Sequence, residues 1–135
     1  MRRTPLLVCL VAAAVTTAVP AVAAAAPAVP LGAPQSMLVL TISDGTEISP
    51  VRNASVLRCD PIGGDHPFAV DSCSQLSAVG GDFRALPVDY RLCSMIYKPV
   101  TVSESGYWRG VLVSFSQTCG NECALHSRTK SVFEF

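Results

Sequence analysis

Few side chains in this sequence are of the types that carry out acid–base or nucleophilic chemistry. Its two histidines, His66 and His126, are the natural general bases. A hydrolase would need one of them assembled with a nucleophile and an orienting group. Neither lies in a recognisable motif, and no G-x-S-x-G or H-E-x-x-H pattern occurs. His66 sits in the loop-like run DPIGGDHP and His126 in a short polar segment, so both read as surface residues. The spacing Cys119-x3-Cys123-x2-His126 offers three zinc-type donors. No fourth is apparent, and thiols of an exported chain oxidise. No metal and no cofactor is expected.

A different kind of chemistry is suggested by CSMIYKPV, Cys93 to Val100. Met95 and Ile96 stand between a cysteine and a Lys-Pro pair. One reading makes them core residues of a strand that begins at Cys93. The other makes them displayed residues on a loop held by a disulfide. Being consecutive, they would point in opposite directions from an extended chain. Pro99 interrupts ladder donation, and the upstream DYRL is mixed in polarity. An extended, cysteine-anchored segment with an apolar residue two positions after the cysteine is what a protease cleft accepts as substrate.

The compartment follows from the N-terminus. Arg2 and Arg3 precede the apolar run PLLVCLVAAAV, and AVAAAAPAV follows Pro20. This is the n-region, h-region and Ala-x-Ala pattern of a cleaved secretory signal, and the run is too short and too broken for a membrane span. Residues 1–26 are therefore assigned to the signal, with cleavage between 23 and 26. Residues 27–35 form a Pro/Ala-rich leader, and residues 36–135 form one domain. Loss of Arg2 and Arg3 from ten basic residues leaves eight against ten acids, a net charge of −2. With no basic cluster, nucleic acid and membrane are excluded as partners, and an extracellular, secreted module is expected.

Of six cysteines, Cys9 leaves with the signal. The remaining five are an odd number, which implies two bridges and one spare thiol. Spacing alone does not choose the pairs.

The elements that must position these residues read as follows. Met37–Ile42 and Ser55–Cys59 are strands, with a turn at Asp44-Gly45. DSCSQLSAVGG suits a short helix capped by Asp71 or Ser72, with Cys73, Leu76 and Val79 on one face and Gly80-Gly81 ending it. Tyr97–Val102 and Tyr107–Phe115 flank SESG as a hairpin turn. One sheet face, carrying Trp108, Val111 and Val113, is apolar enough to bury. NECALHSR gives one or two helical turns, and SVFEF closes as a strand. The sum is an α+β domain, mostly antiparallel.

Several stretches carry a resemblance: LVLT, AVGGDFRAL, CSMIYKPV, GYWRGVLVSF, NEC and the terminal SVFEF. In this order and spacing the chain resembles the Streptomyces-type subtilisin inhibitor family from about Ser36 to Phe135. The resemblance implies a five-stranded antiparallel sheet with two short helices, a homodimer formed through the sheet face, and bridges Cys59–Cys73 and Cys93–Cys123. It implies a secreted inhibitor of serine proteases, subtilisin-like and possibly chymotrypsin-like, and not an enzyme. The reactive bond would be Met95–Ile96. Leu92, Cys93, Ser94 and Tyr97 would contact the protease, and Asn121 would brace the loop from behind. The chain departs from the family pattern at Ser94, where proline is common, and at the unpaired Cys119, where an apolar residue is usual. The alternative is a non-inhibitory secreted module that binds another exported enzyme, a transglutaminase or a metalloprotease. A small secreted hydrolase is a third reading.

Overall fold

A computed structural model describes residues 35–135. The expected signal peptide, residues 1–26, and all but the last residue of the expected leader lie outside the described residues. Alternation of buried Leu38, Leu40 and Ile42 with exposed Met37 and Val39 makes β1 (Ser36–Asp44) a strand with one core face. It pairs on one side with β2 (Val51–Cys59) and on the other with β4 (Val100–Trp108). The two-residue β3 (Gly63–Gly64) lies beside β2, and β5 (Val111–Cys119) lies beside β4. The five strands run β3-β2-β1-β4-β5, every pair antiparallel.

One face of the sheet is covered by α1 (Ala69–Ala78), α2 (Glu122–Thr129) and two single-turn 3-10 helices, Phe83–Ala85 and Lys130–Phe133. Leu57, Leu76, Val102, Leu125, Val132 and Phe133 meet there, all completely buried. The Cys59–Cys73 bridge ties the end of β2 to α1. None of the helices among the described residues is long and apolar enough to cross a membrane.

Several local expectations are corrected. SESG is not a turn: it lies within β4, and the chain reverses at Arg109-Gly110. Both turn residues have left-handed φ, 48° and 81°, which matches the twist of the flanking strands. The helix α1 begins at Ala69, earlier than its polar residues suggested; Phe68 is its N-cap, without a side-chain cap, and Asp71 falls in the first turn. SVFEF does not form a strand, because Val132 and Phe133 turn into the core through the last 3-10 helix.

Trp108 points to the helical side and is buried, so the exposed apolar residues of the outer face are Met37, Val39, Tyr107 and Leu112 instead. Gly81 explains why the helix exit needs its second glycine. Its φ is +83°, and a Cβ there would lie 2.4 Å from the Trp108 ring.

His66 is not a surface residue. It is 5% exposed, and its Nδ1 accepts from the Phe68 N–H at 3.1 Å. That leaves Nε2–H to donate to the Val132 carbonyl at 3.0 Å. The ring is neutral by construction, and burial lowers its pKa below the ordinary value. Its role is to fasten the Gly/Pro loop to the C-terminal turn.

Candidate functional site

Residues 87–99, between the first 3-10 helix and β4, contain no helix or strand. This segment carries the most exposed large apolar side chains in the described chain. Met95 is 98% exposed and Leu92 105%, with Ile96 and Tyr97 at 70% and 73%. Neither Met95 nor Ile96 enters the core. A flexible loop displaying such residues would collapse onto nearby apolar surface or pay ordering entropy on binding. This one is held open from behind.

The brace is the N-terminal end of α2 and the residues around it. Asn121 caps α2, its Oδ1 accepting the Ala124 N–H at 2.9 Å, which satisfies one of the orphan amides of the first turn. With Oδ1 fixed in that way, Nδ2 faces the loop. It donates to the Ser94 carbonyl at 3.1 Å and to the Ile96 carbonyl at 3.0 Å. The two carbonyls flank Met95, so one amide group fixes the backbone on both sides of it. Two residues along the chain from Asn121, the Cys93–Cys123 bridge joins loop to helix with a Cα–Cα distance of 5.6 Å.

Backbone bonds hold the two ends of the segment. Lys98 N–H donates to the Gly120 carbonyl at 2.9 Å. At the other end, Asp89 N–H donates to the Ser127 carbonyl and Ser127 Oγ–H donates to the Asp89 carbonyl, each at 2.7 Å. All four braces lie in the stretch from Gly120 to Ser127. Arg52 then locks that stretch to the sheet, pairing with Glu122 at 2.5 Å and Asp44 at 2.7 Å. A groove of about 220 Å³ remains between loop and brace, lined by Ser94, Ile96, Lys98, Asn121 and others.

Sequence reasoning did not find the Asp89–Ser127 clamp or the Lys98–Gly120 bond. The partners are far apart in sequence and every group except the Ser127 hydroxyl is backbone, which leaves almost no side-chain signal. The capping role of Asn121 was open to inference, since an asparagine immediately precedes the helical run ECALHSR.

His66 is committed to backbone partners, and among the described residues there is no group of three or more His, Cys, Asp or Glu able to hold a metal. Cys119 is a free cysteine, buried at the end of β5, and burial raises its thiol pKa. A thiol in that state is a poor nucleophile. What the geometry provides is an extended peptide, preformed and presented with its apolar side chains outward.

The subtilisin inhibitor-like family model matches residues 34–121. Subtilisin inhibitor-like protein 1 of Streptomyces cacaoi is 38% identical over 109 residues, covering 78% of this chain and 99% of the relative. A trypsin inhibitor of Streptomyces longisporus is 41% identical over 116 residues, covering 78% of this chain and 80% of the relative. Among solved structures, Streptomyces caespitosus sermetstatin, in complex with Bacillus licheniformis subtilisin, superposes with a TM-score of 0.63 at 29% identity. The match covers 74% of this chain and 98% of that one.

Proposed function

The chain belongs to the subtilisin inhibitor-like family, and from that premise we propose that it inhibits subtilisin-like serine endopeptidases by presenting Met95–Ile96 as a substrate-like bond. The observation that carries this reading is the pair of Asn121 hydrogen bonds on either side of a fully exposed Met95. The Met95 side chain fills the primary specificity pocket, and its carbonyl oxygen enters the oxyanion hole. Leu92 occupies the pocket three residues upstream. Cys93 and Ser94 line the approach, and Tyr97 lies on the leaving-group side.

Because the loop is already in its bound shape, little conformational entropy is lost on association. If the bond is cut, the new amine at Ile96 stays close to the acyl group. The Asn121 bond to the Ile96 carbonyl and the Lys98–Gly120 bond hold that half in place. Resealing, with its high effective molarity, then outruns release. Complexes of this kind have affinities of about −12 to −16 kcal/mol.

The same reading makes the protein secreted after removal of a signal peptide, a setting in which its two bridges persist. It also makes the protein a homodimer through the outer sheet face that carries Met37, Val39, Tyr107 and Leu112. Titration of the purified protein into subtilisin tests the function. Stoichiometric loss of activity is expected. No loss would point to an interaction module for another exported enzyme, and peptide turnover by the protein itself would point to a hydrolase.

A further inference from the structure

We propose, independently of the inhibitor reading, that the cavity beside Glu104 binds an alkylammonium or alkylguanidinium cation. Such a group ends a lysine or arginine side chain, or a small free amine. The cavity, about 320 Å³, opens between residues 80–84 and the first half of β5. Glu104 lines it from the core face of β4 and is only 2% exposed. One of its carboxyl oxygens is buried without a hydrogen-bond partner, a state that costs stability until a donor arrives. Its neighbours across the sheet, Leu40 and Phe115, are apolar and supply none.

Two charged side chains share the cavity. Burial raises the Glu104 pKa to about 7; Arg84 opposes the rise, and Asp82, exposed at the cavity mouth, adds to it. Asp82 spends Oδ1 on the Arg84 N–H at 3.0 Å, which leaves Oδ2 free to meet a ligand. Arg84 does not neutralise the two acids. Its guanidinium carbon lies 5.3 Å from the centroid of the Phe115 ring, and among the described residues no ion pair joins it to Asp82 or Glu104.

The walls decide which kind of cation fits. Leu112, Val113 and Phe115 make one side apolar, while Gly80 and Gly81 bring no side chains to the other. A hard divalent metal wants about six or more oxygen ligands, and two carboxylates beside an apolar wall fall short of that. A nitrogen cation on an aliphatic stem is satisfied by less. Its N–H groups pair with the carboxylate, and its methylenes cover the apolar wall. Trypsin recognises basic side chains through a carboxylate at the floor of its pocket in the same way. The cavity adjoins the hairpin half of β5, whereas the Asn121 brace follows the other end of that strand. A ligand held here leaves the reactive segment free.

The test titrates n-butylguanidinium into the mature protein at about pH 8, where Glu104 is largely ionised, with n-butanol as the uncharged counterpart. Calorimetry gives the affinity. Trp108, the single tryptophan, gives a second readout by fluorescence, because its ring packs against Gly81 at the cavity edge. Saturable binding of the guanidinium with a Kd on the order of 1 mM or tighter is expected, and none of the alcohol. Glu104→Gln keeps the shape and removes the charge, so it should weaken binding by roughly tenfold or more. Asp82→Asn, a change at the surface, should weaken it less, and Arg84→Gln should strengthen it by removing a competing charge. Acetyl-Gly-Arg-Gly-amide separates the two sources of the cation. Binding of this peptide assigns the site to a basic side chain of a protein, and its exclusion while butylguanidinium still binds assigns it to a small free cation. Absence of saturable binding by wild type would overturn the proposal, as would wild-type affinity in both Glu104→Gln and Asp82→Asn.

Discussion

Asn121 does two jobs with one side chain, and they can be separated. Its Oδ1 caps α2 and its Nδ2 bonds to the loop. Asn121→Asp keeps a capping oxygen but loses the donors, placing a carboxylate against two carbonyls. Asn121→Ala loses both functions. In thermal melts Asn121→Ala should cost about 1–2 kcal/mol, the usual range for a lost cap, and Asn121→Asp should cost less. Both should be cleaved after Met95 far faster than wild type, followed by mass spectrometry during incubation with subtilisin. Equal resistance to cleavage in all three proteins would mean that the loop does not depend on this amide.

Glu104 is a second residue with a measurable consequence. It is 2% exposed on the core face of β4, opposite Phe115, with one carboxyl oxygen unpartnered. Burial raises its pKa to about 7; nearby Arg84 works against the rise and Asp82 adds to it. A carboxyl whose pKa is higher folded than unfolded supports the fold fully below the unfolded value and loses that support as pH climbs to about 7. Buried neutral His66, with its lowered pKa, acts in the other direction, and its support fades as pH falls below the ordinary histidine range. Chemical denaturation should show stability falling by on the order of 2 kcal/mol between pH 4.5 and pH 7, and Glu104→Gln should flatten that slope. An unchanged slope in the variant would assign the effect to other groups.

At the level of elements, the bridge between the loop and α2 carries the most stringent test. With Cys93 and Cys123 both changed to serine, the Cys59–Cys73 bridge and the core remain. The domain should therefore still fold, yet behave as a substrate cut after Met95. Persistent stoichiometric inhibition by the double variant would show that hydrogen bonds alone brace the loop.

What the sequence reveals of these elements depends on whether a local pattern agrees with the tertiary setting. The alternating run of β1 and the apolar face of α1 agree with it, and both elements were legible. SESG reads as a turn because its residues are small and polar, but the sheet draws it into β4 and accepts a buried glutamate. The real turn uses Arg109 at positive φ, a conformation that arginine does not advertise. The C-terminal SVFEF has strand-like residues, but the last 3-10 helix carries Val132 and Phe133 into the core, and their burial takes precedence. The cysteine loop is intermediate. Its apolar pattern alone left display and burial open, Pro99 and the family resemblance pointed to display, and the brace that holds it out is built from residues far along the chain.

The whole molecule presents two surfaces on different structural parts. The loop and its brace stand at the α2 side of the sheet, whereas Met37, Val39, Tyr107 and Leu112 lie on the face turned away from the helices. Dimerisation through that outer face would leave the reactive loop of each copy free. Sedimentation at micromolar concentration should give twice the monomer mass, and placing lysine at both Leu112 and Val39 should give a monomer, since like charges meet across a two-fold contact. The monomeric variant should keep its inhibitory strength. A wild-type monomer would remove the dimer without touching the loop.

The central claim is that the Met95 side chain selects the protease, and changing that side chain alone tests it most directly. Trypsin has an aspartate at the floor of its specificity pocket and chymotrypsin an apolar slot. Inhibition constants of wild type and Met95→Lys should be compared against trypsin, chymotrypsin and subtilisin, with Ile96→Lys as a neighbour control. The account predicts that Met95→Lys gains strong trypsin inhibition and loses several kcal/mol against chymotrypsin, about the cost of placing a charge in an apolar slot. Subtilisin inhibition should fall less, and Ile96→Lys should shift selectivity little. Three unchanged constants for Met95→Lys would contradict the account, because a fully exposed side chain that no protease distinguishes is not the residue it binds.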